Sequence, residues 1–401
     1  DSEHDDCWEA GHKARRARNY GQALQSYERA VDLAQRDHWP EREVEARLYA
    51  ADCARRVLEH DAAEAHLHRA AEVARQKHIK GLLARSLGEL GTLAVMRGDT
   101  QVGAAHYQEA LELAEEVGDI PTLATQQGNL GLLALQRGDY DSARSLLNQR
   151  LEGVLSLQAS DDAAETLSTI AEVELASGQG DEAEQALLRV ISLQRTKRSV
   201  RAVRCLAGAY VLLARLARER GQGYEAIRRA KQALRAAEAA HAPREAAHAR
   251  LQLGYIAKAE GEREEAQKQL FKAAKALEEL GDAVQSLVAK VALAGLVVDA
   301  GELQAARVIY DQASKGFDAY NQPRAAVDAL LVSAQLDLQL GEFKRGRDIL
   351  HEALERAKEI DYPAAVTRLD VNLAACQGLS GEHRREVTKT LAGARHFEAL
   401  K

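Results

Sequence analysis

The sequence predicts an all-α solenoid of about ten antiparallel helical hairpins. Three observations carry this prediction: helix-favouring residues dominate the composition, small residues recur every 40 residues, and glycine-containing turns recur at the same interval. A chain of 401 residues is also longer than a single compact core normally allows. A repeat architecture or several domains is therefore expected.

Small residues set the period. The spacing between them is 40 residues in every interval except that from Ala183 to Ala226, where it is 43. The full series is Ala23, Ala63, Gly103, Ala143, Ala183, Ala226, Ala266, Ala306 and Gly346. Four residues later comes a mostly larger side chain: Tyr27, Leu67, Tyr107, Leu147, Leu187, Ala230, Leu270, Tyr310 and Leu350. Small residues at a fixed helical position let neighbouring helices approach closely, and stacking covers the apolar side that one hairpin cannot bury alone.

Glycine and proline mark the helix boundaries. Glycine adopts the left-handed conformation that ends a helix, and proline is tolerated only in a helix's first turn. One boundary series is Gly98, Gly138, Gly178, Gly221, Gly261, Gly301 and Gly341. A second series lies about twenty residues away, at Gly118, Gly281, Pro40, Pro121, Pro243, Pro323 and Pro363. Each unit is therefore two helices of about sixteen to eighteen residues. A degenerate tenth unit continues in phase at Gly381, Glu382, Thr390 and Gly393.

These units resemble the tetratricopeptide repeat. The best match combines Leu90-Gly91, Ala94, Gly98-Asp99, Tyr107 and Ala110, and similar units begin at Leu130 and Leu253. The usual unit of that family is about 34 residues, so these longer units resemble its bacterial regulatory members. The resemblance implies a right-handed superhelix whose inner groove is lined by the first helix of each unit. We expect repeats one to five in residues 1–198 and repeats six to ten in residues 199–401, with a hinge near residues 195–204.

Charge and cysteine content narrow the function classes. The net charge is −7, which argues against a general nucleic-acid binder. The four cysteines lie far apart, which predicts neither a disulfide framework nor a zinc site and fits a reducing cytoplasm. No apolar run reaches the roughly 18–20 residues of a membrane span, and the polar start at Asp1–Asp6 is not a signal peptide. A start without Met, close to a helix, suits a segment of a longer protein.

No pattern of catalytic residues is found. The sequence contains no phosphate-binding glycine loop, and a nucleophile elbow requires a strand that is not predicted here. His60, Glu64 and His68 would share one helical face, but solvent-exposed side chains explain them better than a metal site does. We expect no enzyme activity in this chain, and no cofactor or metal.

The inner groove is the main candidate for binding a protein or peptide partner. The resemblance places the first helix of each unit there, and the candidate side chains are Trp8, His12, Arg15, Arg16, Arg55, Arg56, Val95, Met96, Asn129, Leu132, Leu135 and Tyr255. Asn129 is at a position where some family members use Asn to bond the ligand backbone. The face is basic at one end and mixed apolar and polar beyond, which suits a partner segment that is acidic or amphipathic. Burial between neighbouring units is the alternative for each apolar residue.

A basic run coincides with the irregular interval. Arg195, Lys197, Arg198, Arg201 and Arg204 follow one another across the predicted hinge. Two interpretations stay open: a solvated turn whose cations lie near a helix carboxyl end, or a docking site for an acidic partner.

The sequence as a whole indicates a scaffold or adaptor of the bacterial cytoplasm that recruits a protein partner through the groove. Two alternatives remain. One is a regulatory sensor that binds a peptide or small ligand and controls a fused effector domain. The other is a targeting arm of a fused enzyme such as a caspase-like protease.

Overall fold

The computed structural model describes residues 2–360 and 362–377. Over these ranges the protein consists of 19 helices joined by short turns, and no strand is present in them. The helices form nine hairpins and the first helix of a tenth. The rest of that tenth unit lies outside the described residues, including the positions predicted at Gly381, Glu382, Thr390 and Gly393.

The described residues divide into two compact units between Thr196 and Lys197. Unit 1 contains five hairpins, formed by α1 (Ser2–Arg16), α2 (Tyr20–Arg36), α3 (Pro40–Arg56), α4 (His60–Gln76), α5 (Lys80–Met96), α6 (Thr100–Val117), α7 (Ile120–Arg137), α8 (Tyr140–Ser156), α9 (Ser160–Ala176) and α10 (Gly180–Gln194). In each hairpin the odd-numbered helix comes first. The hinge expected near residues 195–204 stays a prediction.

Unit 2 contains four further hairpins and one more helix. Its helices are α11 (Val200–Glu219), α12 (Gly223–Ala239), α13 (Pro243–Ala259), α14 (Arg263–Glu279), α15 (Ala283–Asp299), α16 (Leu303–Ala319), α17 (Pro323–Gln339), α18 (Phe343–Glu359) and α19 (Pro363–Gln377). Within each unit every helix packs on the next in sequence, so one face of each hairpin is covered by its neighbour.

The 40-residue period of the small residues in the sequence is also the period at which the helices pack in the structure. All nine small residues are buried, as are all nine side chains four positions later. Both classes lie on the second helix of their hairpin, where a small residue lets the first helix come close. In the third and ninth hairpins this approach is close, because a Cβ on Gly103 or Gly346 would lie 3.0 Å from the carbonyl oxygen of Gly91 or Ala334. This burial confirms the repeat register within both units.

The three extra residues of the irregular interval are distributed over a helix and a turn. Most inter-helix turns have three residues, whereas residues 195–199 form a turn of five. The helix before it, α10, has 15 residues, and the helix after it, α11, has 20, against 17 in most others. The insertion therefore lengthens the first helix of the sixth hairpin and the turn that precedes it.

The glycine turns all use the left-handed conformation, as the sequence predicts. Gly98 has a φ of 89°, and φ is also positive at the other glycines of both boundary series. Seven turns place a non-glycine residue at the corresponding position: Arg18, His38, Leu58, His78, Gln158, His241 and Asn321. A left-handed conformation costs a residue with a Cβ roughly 1–2 kcal/mol, so these turns carry strain that glycine would avoid.

Replacing Leu58 by Gly should therefore stabilise unit 1. Leu58 has a φ of 66° and is 77% exposed, so the substitution removes strain and almost no packing. After the extra chain entropy of glycine, we expect a gain of roughly 0.5–1 kcal/mol. The measurement is the urea midpoint followed by the fluorescence of Trp8 and Trp39. Gly98→Leu, at the same position one unit later, should lower the midpoint; if both changes shifted it in the same direction, the strain argument would be wrong.

Buried ion pairs recur at one repeat position. Arg144 donates to both carboxylate oxygens of Glu174 at 2.8 Å, and the Glu174 side chain is only 6% exposed. Arg307 contacts Asp337 at 2.9 Å, and the Asp337 side chain is fully buried. Arg144 and Arg307 each directly follow the small residue of their hairpin, and each acid lies on the next helix, 30 residues later. The same connection between consecutive hairpins thus occurs in both units.

Candidate partner-binding grooves

First helices line an open cavity in unit 1. Its volume is about 370 Å³, and only α1, α3, α5 and α7 contribute to it. We call this surface the unit 1 groove. Its lining residues are Arg15, Leu48, Tyr49, Asp52, Arg85, Gly88, Glu89, Thr92, Pro121, Thr122, Thr125, Gln126 and Asn129. The recurrence at 40-residue spacing explains this convergence, because equivalent positions of consecutive first helices lie on one face.

Three arginines share one carboxylate in the unit 1 groove. Asp52 accepts from Arg15 Nε at 3.3 Å, from Arg55 at 3.1 Å and from Arg56 Nε at 3.3 Å. Arg55 also approaches Glu89 at 3.8 Å. Arg85 lines the cavity, is exposed, and has no hydrogen bond or ion pair to any described residue. The lining itself has two cations, Arg15 and Arg85, and two anions, Asp52 and Glu89; the excess of positive charge comes from Arg55 and Arg56, which bond to Asp52 from outside the lining.

Polar side chains continue the groove across α5 and α7. Thr92 accepts a hydrogen bond from the buried Tyr107 hydroxyl at 3.2 Å. Asn129 lies in the lining and donates to Gln126 Oε1 at 3.4 Å. Desolvation is the largest cause of the raised pKa of the Glu89 carboxyl. These groups offer both donors and acceptors to a bound backbone.

Apolar side chains lie beyond the polar stretch, toward the carboxyl ends of the same helices. Met96 is 56% exposed and lies one turn after Thr92 on α5. Leu132 is 43% exposed and lies seven residues after Thr125 on α7, hence on the same helical face. Their predicted neighbours Val95 and Leu135 are only partly exposed. Two accessible apolar side chains thus flank the charged part of the groove.

Trp8 and His12 belong to an aromatic cluster in the first two hairpins. The Trp8 ring lies 5.2 Å from that of Tyr49 and 5.7 Å from that of Tyr27. His12 Nδ1 is 3.0 Å from the Tyr27 hydroxyl, and burial is the main cause of its lowered pKa. Both residues are half-buried and pack on Tyr49, which lines the groove, so they hold α1 on the next helices without lining the groove themselves. Arg16 is exposed at the end of α1.

Unit 2 has its own cavity of about 430 Å³, which we call the unit 2 cavity. It contains Tyr255, the remaining groove candidate. First helices α11, α13, α15 and α17 and the second helix α16 line it through Arg215, Arg218, Leu251, Gln252, Tyr255, Lys258, Ala259, Gln285, Val288, Val291, Ala292, Phe317 and Ala325. Its floor is largely apolar, unlike that of the unit 1 groove.

The basic run spans the boundary between the two units, and its role as a docking site stays a prediction. Arg195 is exposed at the end of unit 1, whereas the other four residues belong to unit 2. Of these, Arg204 donates to Glu245 on α13 at 2.8 Å. Lys197 and Arg198 lie in the five-residue turn, and Arg201 is exposed in the first turn of α11.

Two models of the tetratricopeptide repeat match the chain, one over residues 82–156 and the other over residues 134–204. The matched stretch includes the α5 and α7 residues that line the unit 1 groove. Hairpins of the same period continue on both sides of the matched stretch. This chain contains tetratricopeptide repeats. No curated protein sequence matches it.

Solved structures share the helical repeat fold with this chain. One is a signal-transduction ATPase with numerous domains and a tetratricopeptide repeat sensor from Pyrococcus horikoshii, with a TM-score of 0.53 and 17% identity; the match covers 93% of this chain and 52% of that one. A Rap protein complexed with competence and sporulation factor has a TM-score of 0.52 and 15% identity over 88% of this chain and 99% of its own. Yeast Tom70 has a TM-score of 0.52 and 13% identity, and the match covers 96% of this chain and 99% of Tom70. The chain thus spans about half the length of the archaeal protein.

Some residues of the tetratricopeptide repeat grooves escaped the sequence reasoning. Glu89 and Gln126 line the unit 1 groove, and Arg215 and Arg218 line the unit 2 cavity. Arg218 could have been found from the repeat, because it occupies the position that Arg55 occupies four units earlier. Within residues 2–360 and 362–377, no cluster of His, Cys, Asp or Glu suits a metal ion, and no helix has the length and apolar character of a membrane span.

Proposed function

We propose that this protein is an interaction scaffold whose unit 1 groove holds an acidic, amphipathic segment of a partner protein. The observation that carries the proposal is the charge imbalance around Asp52, where three arginines surround one carboxylate while Arg85 stays unpaired among the described residues. Acidic side chains of a partner would complement these cations. Met96 and Leu132 would receive its apolar side chains.

Charge on the first helices of the groove and on α9, the next first helix beyond it, favours one orientation of the partner. Glu165 and Glu172 on α9 occupy the repeat positions of Arg85 and Thr92, two units later. The first helices therefore change from basic on α1 and α3 to acidic on α9. A bound segment with its acidic end over Arg15 and Arg56 would keep like charges apart, and the reverse orientation would bring them together.

A structural neighbour supports ligand binding by a fold of this kind. The Rap protein of similar fold was solved in complex with competence and sporulation factor, so a helical array of this kind accommodates a bound ligand. The proposal for this chain rests on its own groove residues.

Peptide selection tests the proposal and does not require the partner to be identified first. Random peptides displayed on phage are selected on the intact protein, and the best peptide is synthesised for stopped-flow binding. We expect enrichment of peptides with clustered Asp or Glu next to apolar residues. The triple variant Arg16→Glu, Arg56→Glu, Arg85→Glu should slow association roughly tenfold or more at low salt and remove most of its salt dependence, because exposed charges act mainly on encounter.

Two further variants separate the parts of the groove. Leu132→Asp should accelerate dissociation, because it replaces an apolar contact by a charge. Arg189→Glu, an exposed position on the second helix α10, is the matched control and should bind as the wild type does. Helicity is checked for every variant. Selection of peptides without acidic residues, or equal association rates for the triple variant and wild type, would refute the groove as the binding surface.

A further inference from the structure

The unit 2 cavity has the features of a small-ligand site. At about 430 Å³ it falls in the size range of pockets that enclose small molecules. Leu251, Val291 and Ala292 are buried around it, and Val288 and Phe317 add further apolar surface. A few polar groups converge on this apolar floor, which is the arrangement that fixes the orientation of a bound small molecule.

Three cations line the same cavity, and the protein pairs only two of them. Arg215 Nε lies 3.6 Å from a Glu219 carboxylate oxygen, and Lys258 lies 3.5 Å from Asp299. Arg218 has no carboxylate within ion-pair distance among the described residues, and its Nε is buried without a hydrogen-bond partner. The guanidinium lies over the Tyr255 ring, 5.1 Å from its centroid.

An unpaired cation in these surroundings is costly. Burial lowers the pKa of Arg218, although an arginine remains charged at neutral pH. Arg218 is half-buried, and partial desolvation of a cation without an ion-pair partner is unfavourable; contact with one aromatic face offsets only part of that cost. The cavity is thus short of one anionic group at its cationic side.

We propose that the unit 2 cavity binds a small amphipathic carboxylate. The carboxylate would pair with Arg218, with Arg215 and Lys258 adding positive potential, and the acyl chain would lie against Leu251, Val288 and Val291. This site goes beyond the proposed partner binding and does not depend on it. Its occupation would give a physical basis to the sensor interpretation, in which a small ligand changes the stability of one unit.

The unit 1 groove shows why the assignment is specific to unit 2. Arg55 occupies the same repeat position as Arg218, but it is paired with Asp52. Unit 2 has Arg215 at the position of Asp52, so a carboxylate there is replaced by a second cation. The exchange of Asp for Arg removes the partner of Arg218 and reverses the sign of the local charge.

Isothermal titration with octanoate on the full chain tests the proposal. We expect saturable 1:1 binding, weaker by roughly tenfold or more for octanamide, which has the same chain but no charge. Octylammonium should not bind. Arg218→Gln should weaken octanoate binding by roughly 10- to 100-fold, whereas Arg235→Gln, an exposed arginine on α12 outside the cavity, should leave it unchanged.

A stability measurement distinguishes a binding residue from a structural one. Because Arg218 is unpaired, Arg218→Gln should leave the thermal midpoint of the ligand-free protein unchanged or raise it, and should abolish the upward shift produced by octanoate. Ala292→Leu, which fills the apolar floor, should also prevent binding. The proposal is overturned if octanoate does not bind, if octylammonium or octanamide binds as tightly, or if Arg218→Gln binds octanoate as the wild type does. If Arg218→Gln loses helicity, the comparison of the three ligands on the wild-type protein decides.

Discussion

Removing Glu174 or Asp337 is expected to destabilise the protein more than any other change considered. In Glu174→Ala, the half-buried Arg144 loses both contacts with Glu174 and keeps only the carboxylate contact with the exposed Asp141. In Asp337→Ala, Arg307 loses its contact inside unit 2. Breaking a buried pair by deleting one partner typically costs about 3–5 kcal/mol, because the remaining charge stays desolvated. Amide hydrogen exchange in the adjacent helices, α8 and α9 or α16 and α17, measures the loss as a lower free energy of local opening.

Two control variants distinguish the loss of a buried ion pair from the loss of an exposed one. Lys268→Ala removes one partner of the exposed pair with Glu265 and should cost less than about 1 kcal/mol. The double variant Arg144→Met, Glu174→Met removes both charges and should recover most of the loss, since apolar side chains of similar size are often neutral replacements. A single variant that costs no more than Lys268→Ala would show that the pair contributes nothing to the contact between hairpins.

Enlarging the small residues should produce the second-largest effect. Ala143 and Ala266 are both completely buried where the two helices of a hairpin meet. Replacing either by Leu should destabilise its unit by roughly 1–3 kcal/mol through overpacking. The loss should appear as faster amide exchange in the substituted hairpin and its neighbours, because an array of this kind is stabilised by nearest-neighbour contacts.

A matched substitution on the exposed side checks that side-chain size alone is not responsible. Gln108 lies on the second helix α6 and is exposed, and Gln108→Leu should change exchange little. If Ala143→Leu and Ala266→Leu were both as well tolerated as Gln108→Leu, the close approach of helices at these positions would be refuted.

The repeat was predictable because packing imposes it on the sequence. Close helix contacts require a small residue at a fixed position, and left-handed turns favour glycine, so the period is visible at Ala143, Ala183 and Gly138 without a structure. The turns at Arg18 and Leu58 follow the same geometry without glycine, since the surrounding helices enforce it. Sequence reasoning could not find those turns, because local preference opposes them.

The binding surfaces were less predictable, because their chemistry depends on contacts between units. Arg15, Arg55 and Arg56 were identified from their helical positions, but their shared bonding to Asp52 depends on how α1 and α3 pack. Arg218 resembles an ordinary exposed cation in sequence. Its unusual character comes from α13, which places Tyr255 against it and no carboxylate within ion-pair distance of it.

Photo-crosslinking tests the central claim, that a partner segment lies in the unit 1 groove, most directly. A photoreactive phenylalanine is placed at Thr125, an exposed lining residue of α7, or at Gln108 on α6, outside the groove. Each protein is irradiated with the selected acidic peptide, and the adducts are mapped by mass spectrometry. The account predicts efficient crosslinking from position 125 that excess unlabelled peptide suppresses, and background crosslinking from position 108. Efficient crosslinking from position 108 with none from position 125 would contradict it.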